Sequence, residues 1–405
     1  MPTAGEQVAL SGYTTLGLGG PARRLVEAAS EAEIVAEVAA ADRRQEPVLV
    51  LGGGSNLVIP DEGFPGTVVR IASRGLRREH AADGRAAEGR AADGRAADGR
   101  AADDGGTGET VQLTAAAGEN WDAVVAECTG DGLAGLECLS GIPGLTGATP
   151  IQNVGAYGQE VAGTVVAVRA YDRERAAVIS IPASECGFGY RTSVFKRQAQ
   201  AAAGHADDRS RWAAATGRFV VLAVSFRLAR SPLSLPVRYR ELAGRLDVPE
   251  GGRAPLADVR TAVLALRRGK GMVLDAADPD TRSAGSFFTN PVLEEAAFSA
   301  LQRLVARRQG EDARIPCYPA ADGRVKVPAA WLIEQAGFWK GYPGKPDDPA
   351  AGPRISTKHT LALVNAGGAS TASLLDLARE VRDTVRRTFG VELTPEPVLA
   401  GRTGL

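Results

Sequence analysis

Six glycines in the run 135–158 (Gly135, Gly141, Gly144, Gly147, Gly155 and Gly158) are separated by small, apolar or amide side chains, with one acid at Glu137. Such a run lets bare backbone press against a flat, polar molecule and offer it N–H groups. A second bare segment, Leu51-Gly-Gly-Gly-Ser-Asn56, grows directly out of the apolar run Val48–Leu51. A strand that breaks into Gly-Gly-Gly-Ser has the form of a phosphate cradle, in which successive N–H groups converge on an anion. Either segment alone is explained equally well by a tight turn beside a packing loop. The two together favour a bound cofactor that is flat at one end and carries phosphate.

The elements around these loops must hold them still. Residues 14–72 read as a small α/β unit. Its helix opens at Ser30 with Glu33 three residues on, the pattern of a capping box. The strand and glycine loop follow, then a strand at Thr67–Ile71. Residues 81–100 repeat the pentapeptide Ala-Ala-Asp/Glu-Gly-Arg. A repeat whose only apolar residue is Ala cannot bury enough surface to offset the cost of ordering it. It reads as an insertion between two strands, and a similar Ala-rich insertion spans about 198–216. Strand patterns at Thr110–Thr114, Val161–Tyr171, Phe219–Leu228 and Thr360–Asn365 alternate with helical patterns. Those helices are expected to begin near Trp121 and to cover Asp258–Arg268, Pro291–Arg308, Pro328–Gly337 and Thr371–Phe389. This alternation predicts an α+β or α/β chain of two or three domains.

Composition narrows the classes. Forty-seven Lys+Arg against 48 Asp+Glu leave a net charge of −1, so no bulk field draws the chain to nucleic acid or to an acidic membrane. No apolar stretch approaches a membrane span, and the N-terminus lacks a signal-peptide pattern. Cys128, Cys138, Cys186 and Cys317 form no CxxC pair and read as reduced, buried thiols; His80, His205 and His359 are too scattered for a metal site. No metal is expected, and the location is expected to be cytoplasmic.

Seven segments, in order over nearly the whole chain, carry a resemblance. They are Thr14–Ala22, Leu51–Asn56, the 135–158 run, Gly189-Tyr-Arg-Thr-Ser-Val-Phe-Lys196, Ala284-Gly-Ser-Phe-Phe-Thr-Asn-Pro291, Trp331–Gly337 and Glu392-Leu-Thr-Pro-Glu-Pro397. Together they resemble the UDP-N-acetylenolpyruvoylglucosamine reductase family, flavoenzymes of peptidoglycan precursor synthesis. Thr192 departs from the family, which usually has Asp there. The resemblance implies an α+β chain: a two-subdomain FAD-binding region, like that of vanillyl-alcohol oxidase relatives, followed by an α/β substrate domain. The boundaries expected are 1–72, 73–282 (with insertions about 77–108 and 198–216 and a substrate loop about 232–245) and 283–405.

The resemblance further implies NADPH-dependent reduction of a UDP-sugar enolpyruvyl ether through non-covalent FAD, by a monomer. Hydride addition to the alkene makes an enolate beside a carboxylate, so the site must stabilise that charge and protonate it. Arg191 is expected to clamp the carboxylate with its planar fork. Glu396, stiffened between Pro395 and Pro397, is expected to polarise it as a protonated acid. Ser286 is expected to supply the proton, with Phe287 and Phe288 excluding water. Gly52, Gly53, Gly54, Ser55 and Asn56 are expected at the FAD diphosphate, and Gly141, Ile142, Gly147, Gln152, Asn153 and Gly155 at its ring. Tyr190, Tyr239, Lys270, Asn290 and Gln335 are expected at the substrate. Two other readings remain open on the sequence alone: an oxidase or dehydrogenase built on a related FAD domain, and a non-catalytic UDP-sugar or nucleotide binder.

Overall fold

The computed structural model describes residues 8–80, 108–197, 216–345, 348 and 350–401. The pentapeptide repeat and nearly all of the 198–216 insertion lie outside the described residues.

Val48–Leu51 is the edge of a four-stranded sheet ordered Val8–Ala9, Pro21–Ala28, Phe64–Ile71, Val48–Leu51. The last two pairings are parallel, so the chain must cross over between Pro21–Ala28 and Val48–Leu51. The helix Glu31–Arg43 makes that crossing and buries Ile34, Val38 and Ala41 on one face. Ser30 caps it by accepting the Glu33 N–H at 3.2 Å. The Glu33 carboxylate accepts the Ala29 N–H at 2.7 Å, one residue further back than the expected box.

A larger antiparallel sheet follows, ordered Ala177–Pro182, Val165–Asp172, Phe219–Arg230, Thr110–Ala116, Leu76–His80. The strand expected from Val161 starts four residues later, because Val161–Gly163 is spent on a 3-10 turn that buries Val161. Leu76–His80 and Thr110–Ala116 are paired neighbours, with His80 opposite Val111, so the repeat joins two adjacent strands. One apolar cluster runs from Ile34 and Val38 through Trp121 to Val224 and Phe226, without a break at residue 72.

Three later helices, Glu295–Gln309, Ala329–Gln335 and Thr371–Phe389, close over a separate cluster that also takes in Leu16, Leu18 and Val58 from the N-terminal part. The first of these starts at Glu295, not Pro291, because Val292–Leu293 pairs with Val325–Lys326. The chain then returns: Val398–Leu399 lies parallel to Leu57–Val58, the strand that leaves the glycine loop. Cys128, Cys138 and Cys186 are buried, and burial pushes each thiol up to about 12. Cys317 is exposed, which corrects the expectation for that residue. Among the described residues no helix is long and apolar enough to cross a membrane, and no cluster of ligating side chains could hold a metal.

Candidate active site

Beyond Leu51 and Gly52, the chain follows a path at Gly53 and Gly54 that side chains would block. An ideal Cβ on Gly54 (φ +62°) would lie 2.0 Å from the Tyr13 carbonyl oxygen, and one on Gly53 would lie 2.7 Å from the Gly144 Cα. The two glycine loops are therefore pressed backbone to backbone. Ser55 Oγ donates to the Pro143 carbonyl at 2.9 Å, and Asn56 Nδ2 donates to Gln152 Oε1 at 2.8 Å. Among the described residues, none of the backbone N–H groups from Gly52 to Asn56 donates to another protein group. That leaves a row of free donors, the arrangement an anion needs.

These loops open onto a cavity of about 710 Å³. Its wall includes Gly52, Gly53, Gly54, Ser55, Asn56, Ile142, Gly147, Gln152, Gly155, Arg191, Ser286 and Glu396. Residues from opposite ends of the chain thus share one space. The volume lies within the range of cofactor sites. The free N–H groups at one wall fit a dinucleotide with a phosphate centre.

Glu396 reaches the cavity through backbone pairing. Its N–H donates to the Phe287 carbonyl at 2.9 Å, and the Thr289 N–H donates to the Thr394 carbonyl at 3.0 Å. The same ladder sets Ser286 beside it. Phe287 and Phe288 were expected to exclude water at the site; the structure corrects this, because neither lines the cavity and both are fully buried in the core beneath, where they anchor this segment.

Arg191 sits in a two-residue turn closed by reciprocal hydrogen bonds between Gly189 and Thr192, at 3.1 and 3.2 Å. Its φ of +52° is one that side chains rarely adopt. The geometry turns the guanidinium inward, where Nη2 donates to the Gly155 carbonyl at 2.7 Å and Nη1 to the Asn153 carbonyl at 3.4 Å. Nε lies 3.0 Å from Glu396 Oε1, close enough for an ion pair, although its N–H is not aligned for a hydrogen bond. A guanidinium carries five N–H groups, so two further donors on the Nη atoms remain. Thr192 makes its backbone turn without touching the guanidinium through any hydrogen bond among the described residues.

Burial raises the Glu396 carboxyl above its ordinary range; Arg191 and Lys196 pull the other way and do not cancel it. Lys196 also lines the cavity, and its Nζ donates to the Glu396 carbonyl at 3.5 Å. Burial lowers its own pKa.

Other expected residues lie outside the cavity wall. The Gly141 N–H donates to Asp122 at 2.6 Å, and Asn153 spends its amide on Glu160, the Gly189 carbonyl and the Ala162 N–H. Both brace the wall rather than form it. Tyr190, next to Arg191, lies under Lys326 Nζ at 5.0 Å from the ring centre. Tyr239 meets Tyr157 edge-on at 5.3 Å; Lys270 Nζ lies 5.7 Å from the Tyr157 ring centre and 2.7 Å from Glu241 Oε2. Tyr239 and Lys270 thus share one cluster. Asn290 accepts the Ala329 N–H at 2.9 Å and so holds the start of the helix Ala329–Gln335. Gln335, at that helix's end, accepts from the Gln309 amide at 2.5 Å.

Sequence reasoning passed over Lys196, Arg267 and Tyr157. Arg267 carried a readable signal, a charged residue on the buried stripe of Leu256–Gly269, one turn past Val263.

Comparison with known proteins agrees with this geometry. An FAD-binding domain family matches residues 22–174, which contain both glycine loops, so the cofactor is FAD. The family "UDP-N-acetylenolpyruvoylglucosamine reductase, C-terminal domain" matches residues 278–400. Curated proteins named UDP-N-acetylenolpyruvoylglucosamine reductase from Thermobifida fusca and Saccharopolyspora erythraea are 51% and 53% identical over 399 residues; each comparison covers 98% of this chain, and 98% and 95% of the relative. A crystal structure of UDP-N-acetylenolpyruvylglucosamine reductase from Thermus caldophilus shares the fold, with a TM-score of 0.55 at 23% identity, over 97% of this chain and 98% of that one. The fold is α+β, with an FAD-binding region followed by the C-terminal domain, and the chain belongs to the UDP-N-acetylenolpyruvoylglucosamine reductase family.

Proposed function

We propose that this protein reduces UDP-N-acetylenolpyruvoylglucosamine to UDP-N-acetylmuramate, with NADPH as reductant. The observation that carries the reading is that Arg191, Ser286 and Glu396 line the same cavity as the phosphate cradle. Bound FAD supplies a carrier that accepts hydride from NADPH and delivers it to the alkene.

The protein's own groups do the rest. Arg191, with donors to spare, holds the substrate carboxylate and neutralises the charge that gathers there. Glu396, whose carboxyl burial shifts toward its neutral form, is the group that donates a hydrogen bond to the same carboxylate when protonated. Ser286 delivers a proton to the ether carbon from a fixed backbone ladder, which pre-aims a weak acid at a strongly basic centre. Tyr239 and Lys270 take the UDP diphosphate, while Tyr190, Asn290 and Gln335 contact the substrate further along. On this reading the chain divides at about residues 72 and 282: the cradle lies in the first part, the ring-facing run in the second, and Ser286 and Glu396 in the third. The enzyme is a cytoplasmic monomer.

The test is direct. Purified protein is expected to be yellow and to release intact FAD on denaturation. NADPH is expected to bleach it, and UDP-N-acetylenolpyruvoylglucosamine to restore the colour with one UDP-N-acetylmuramate formed per flavin. A colourless protein, or a reduced flavin reoxidised by oxygen but not by this substrate, contradicts the proposal.

A further inference from the structure

Glu137 is the one acid in the 135–158 run, and it does not line the cavity. It opens the 3-10 turn Glu137–Leu139 and is 1% exposed. A carboxylate so placed must find its partners inside the protein. Three N–H groups meet it. Oε2 accepts the Gly135 N–H at 2.6 Å; Oε1 accepts Gln159 Nε2 at 3.0 Å and the Leu235 N–H at 2.8 Å.

The three donors belong to different segments. Gly135 opens the run. Gln159 lies just past its end, in a hairpin where Gln159–Glu160 pairs with Gly155–Ala156. Gln159 Oε1 accepts the Cys138 N–H at 2.9 Å, which fixes its amide toward Glu137. Leu235 belongs to the substrate loop, 232–245. Its side chain is half-exposed and does not anchor it. Ser234 and Val237 spend their N–H groups on the Ala254 and Gly252 carbonyls, both at 2.8 Å, which close the loop on its own return segment. Among the described residues, the Leu235 N–H makes the one hydrogen bond from this loop to the run.

The tips of the hairpin and the loop then meet. The hairpin turns on Tyr157 (φ +49°) and Gly158 (φ +81°), the two left-handed residues that such a turn needs. An ideal Cβ on Gly158 would lie 3.5 Å from Arg238 Cβ and 3.7 Å from the Tyr239 nitrogen. The Tyr239 ring stands edge-on to Tyr157 at 5.3 Å. Tyr239 is 41% exposed, so the placement of its backbone matters more than packing around its ring. Glu137 thus holds the base of the hairpin and the base of the loop at one point, and the tyrosines at their tips register on each other.

We infer that Glu137 is a positioning residue for substrate binding: it ties the substrate loop to the cofactor-facing run and so fixes Tyr239 where the UDP diphosphate is taken. The inference rests on the role proposed for Tyr239. It gives the run a second task, since the backbone that faces the cofactor also carries the register of the loop. Glu137 touches no reacting atom, so its loss acts on substrate KM and not on the chemistry.

The test is a double-mutant cycle of Glu137→Ala and Tyr239→Ala, read as FAD content, kcat and KM for UDP-N-acetylenolpyruvoylglucosamine. Glu137→Ala is expected to keep its FAD, to hold kcat within about twofold and to raise KM about tenfold, the pattern of lost uniform binding. In the Tyr239→Ala background the same change is expected to raise KM by less than about twofold, because residues that act through one another are not additive. Glu137→Gln keeps an oxygen for the Leu235 N–H and is expected to recover most of the wild-type KM. Equal rises in KM with and without Tyr239 overturn the inference and make Glu137 a packing residue; so does a loss of kcat with KM unchanged. If Glu137→Ala holds no FAD, a backbone ester at Leu235, made by inserting the α-hydroxy acid of leucine, takes its place in the cycle. The ester removes that one N–H and leaves the carboxylate with its other two donors, so an ester protein with wild-type KM overturns the inference. Tyr239→Ala with wild-type KM, or a wild type that leaves this substrate unreduced, overturns both the inference and the reading it rests on. A raised KM in Tyr239→Ala with additive effects overturns the inference alone.

Discussion

Glu396 would titrate like any surface glutamate if it stood alone between its two prolines. In the cavity, burial outweighs the attraction of Arg191 at 3.0 Å, and its carboxyl is raised. A group with a raised pKa is protonated below that value and loses its proton as pH rises through it. If the neutral acid is the working form, kcat/KM falls on the alkaline side through the raised Glu396 pKa. Glu396→Gln keeps a donor that does not titrate, so the variant is expected to retain part of the activity and to lose that alkaline limb. A limb that persists unchanged in the variant assigns it to another group. The residue scale also shows what the sequence conceals. Arg191, Ser286 and Glu396 were legible from their motifs, because each lies in a short segment with its own pattern. Arg267 was not legible from its motif, since Arg267-Arg-Gly-Lys-Gly271 reads as surface charge; its signal lies in the period of its helix, one turn past Val263.

At the scale of elements, the glycines divide by job. Gly53 and Gly54 are bare so that two loops can touch, whereas an ideal Cβ on Gly52 would meet only Leu145 at ordinary contact distance, 3.8 Å. Gly54→Ala would force a side chain against the Tyr13 carbonyl at a positive φ, and is expected to cost at least ~2 kcal/mol and to lose FAD. Gly52→Ala is expected to fold with nearly unchanged thermal stability. Thermal midpoints and the flavin absorbance retained after gel filtration check both; a stable, yellow Gly54→Ala contradicts the steric argument. Periodicity located the long elements well: Thr371–Phe389 matches the expected helix end to end. It failed where pairing outvoted local pattern, at Val292–Leu293, which reads as the start of a helix and is taken by a strand partner. Gly141 and Asn153 were legible as members of the loop, but their polar atoms face its own frame.

The whole molecule closes on itself through Val398–Leu399 beside Leu57–Val58. That return brings Glu396 to the cradle, and no local pattern announces a parallel pairing across some 340 residues. The repeat, by contrast, bridges two paired neighbours, so nothing in the site depends on its length. Deleting residues 81–104 leaves 105–109 to connect the strands, enough for a hairpin loop. Turnover and FAD content are expected to stay within about twofold, within the scatter expected of a surface loop change; a collapse of either would give the repeat a working role.

The most direct measurement is anaerobic stopped-flow of Ser286→Ala, with each half-reaction followed at the flavin absorbance. Reduction by NADPH is expected to proceed at nearly the wild-type rate, and reoxidation by UDP-N-acetylenolpyruvoylglucosamine to slow by about 10²–10⁴, the range for removing a general acid. Equal slowing of both halves, or reoxidation as fast as in wild type, would mean that this hydroxyl does not supply the proton and that the cavity works by another arrangement.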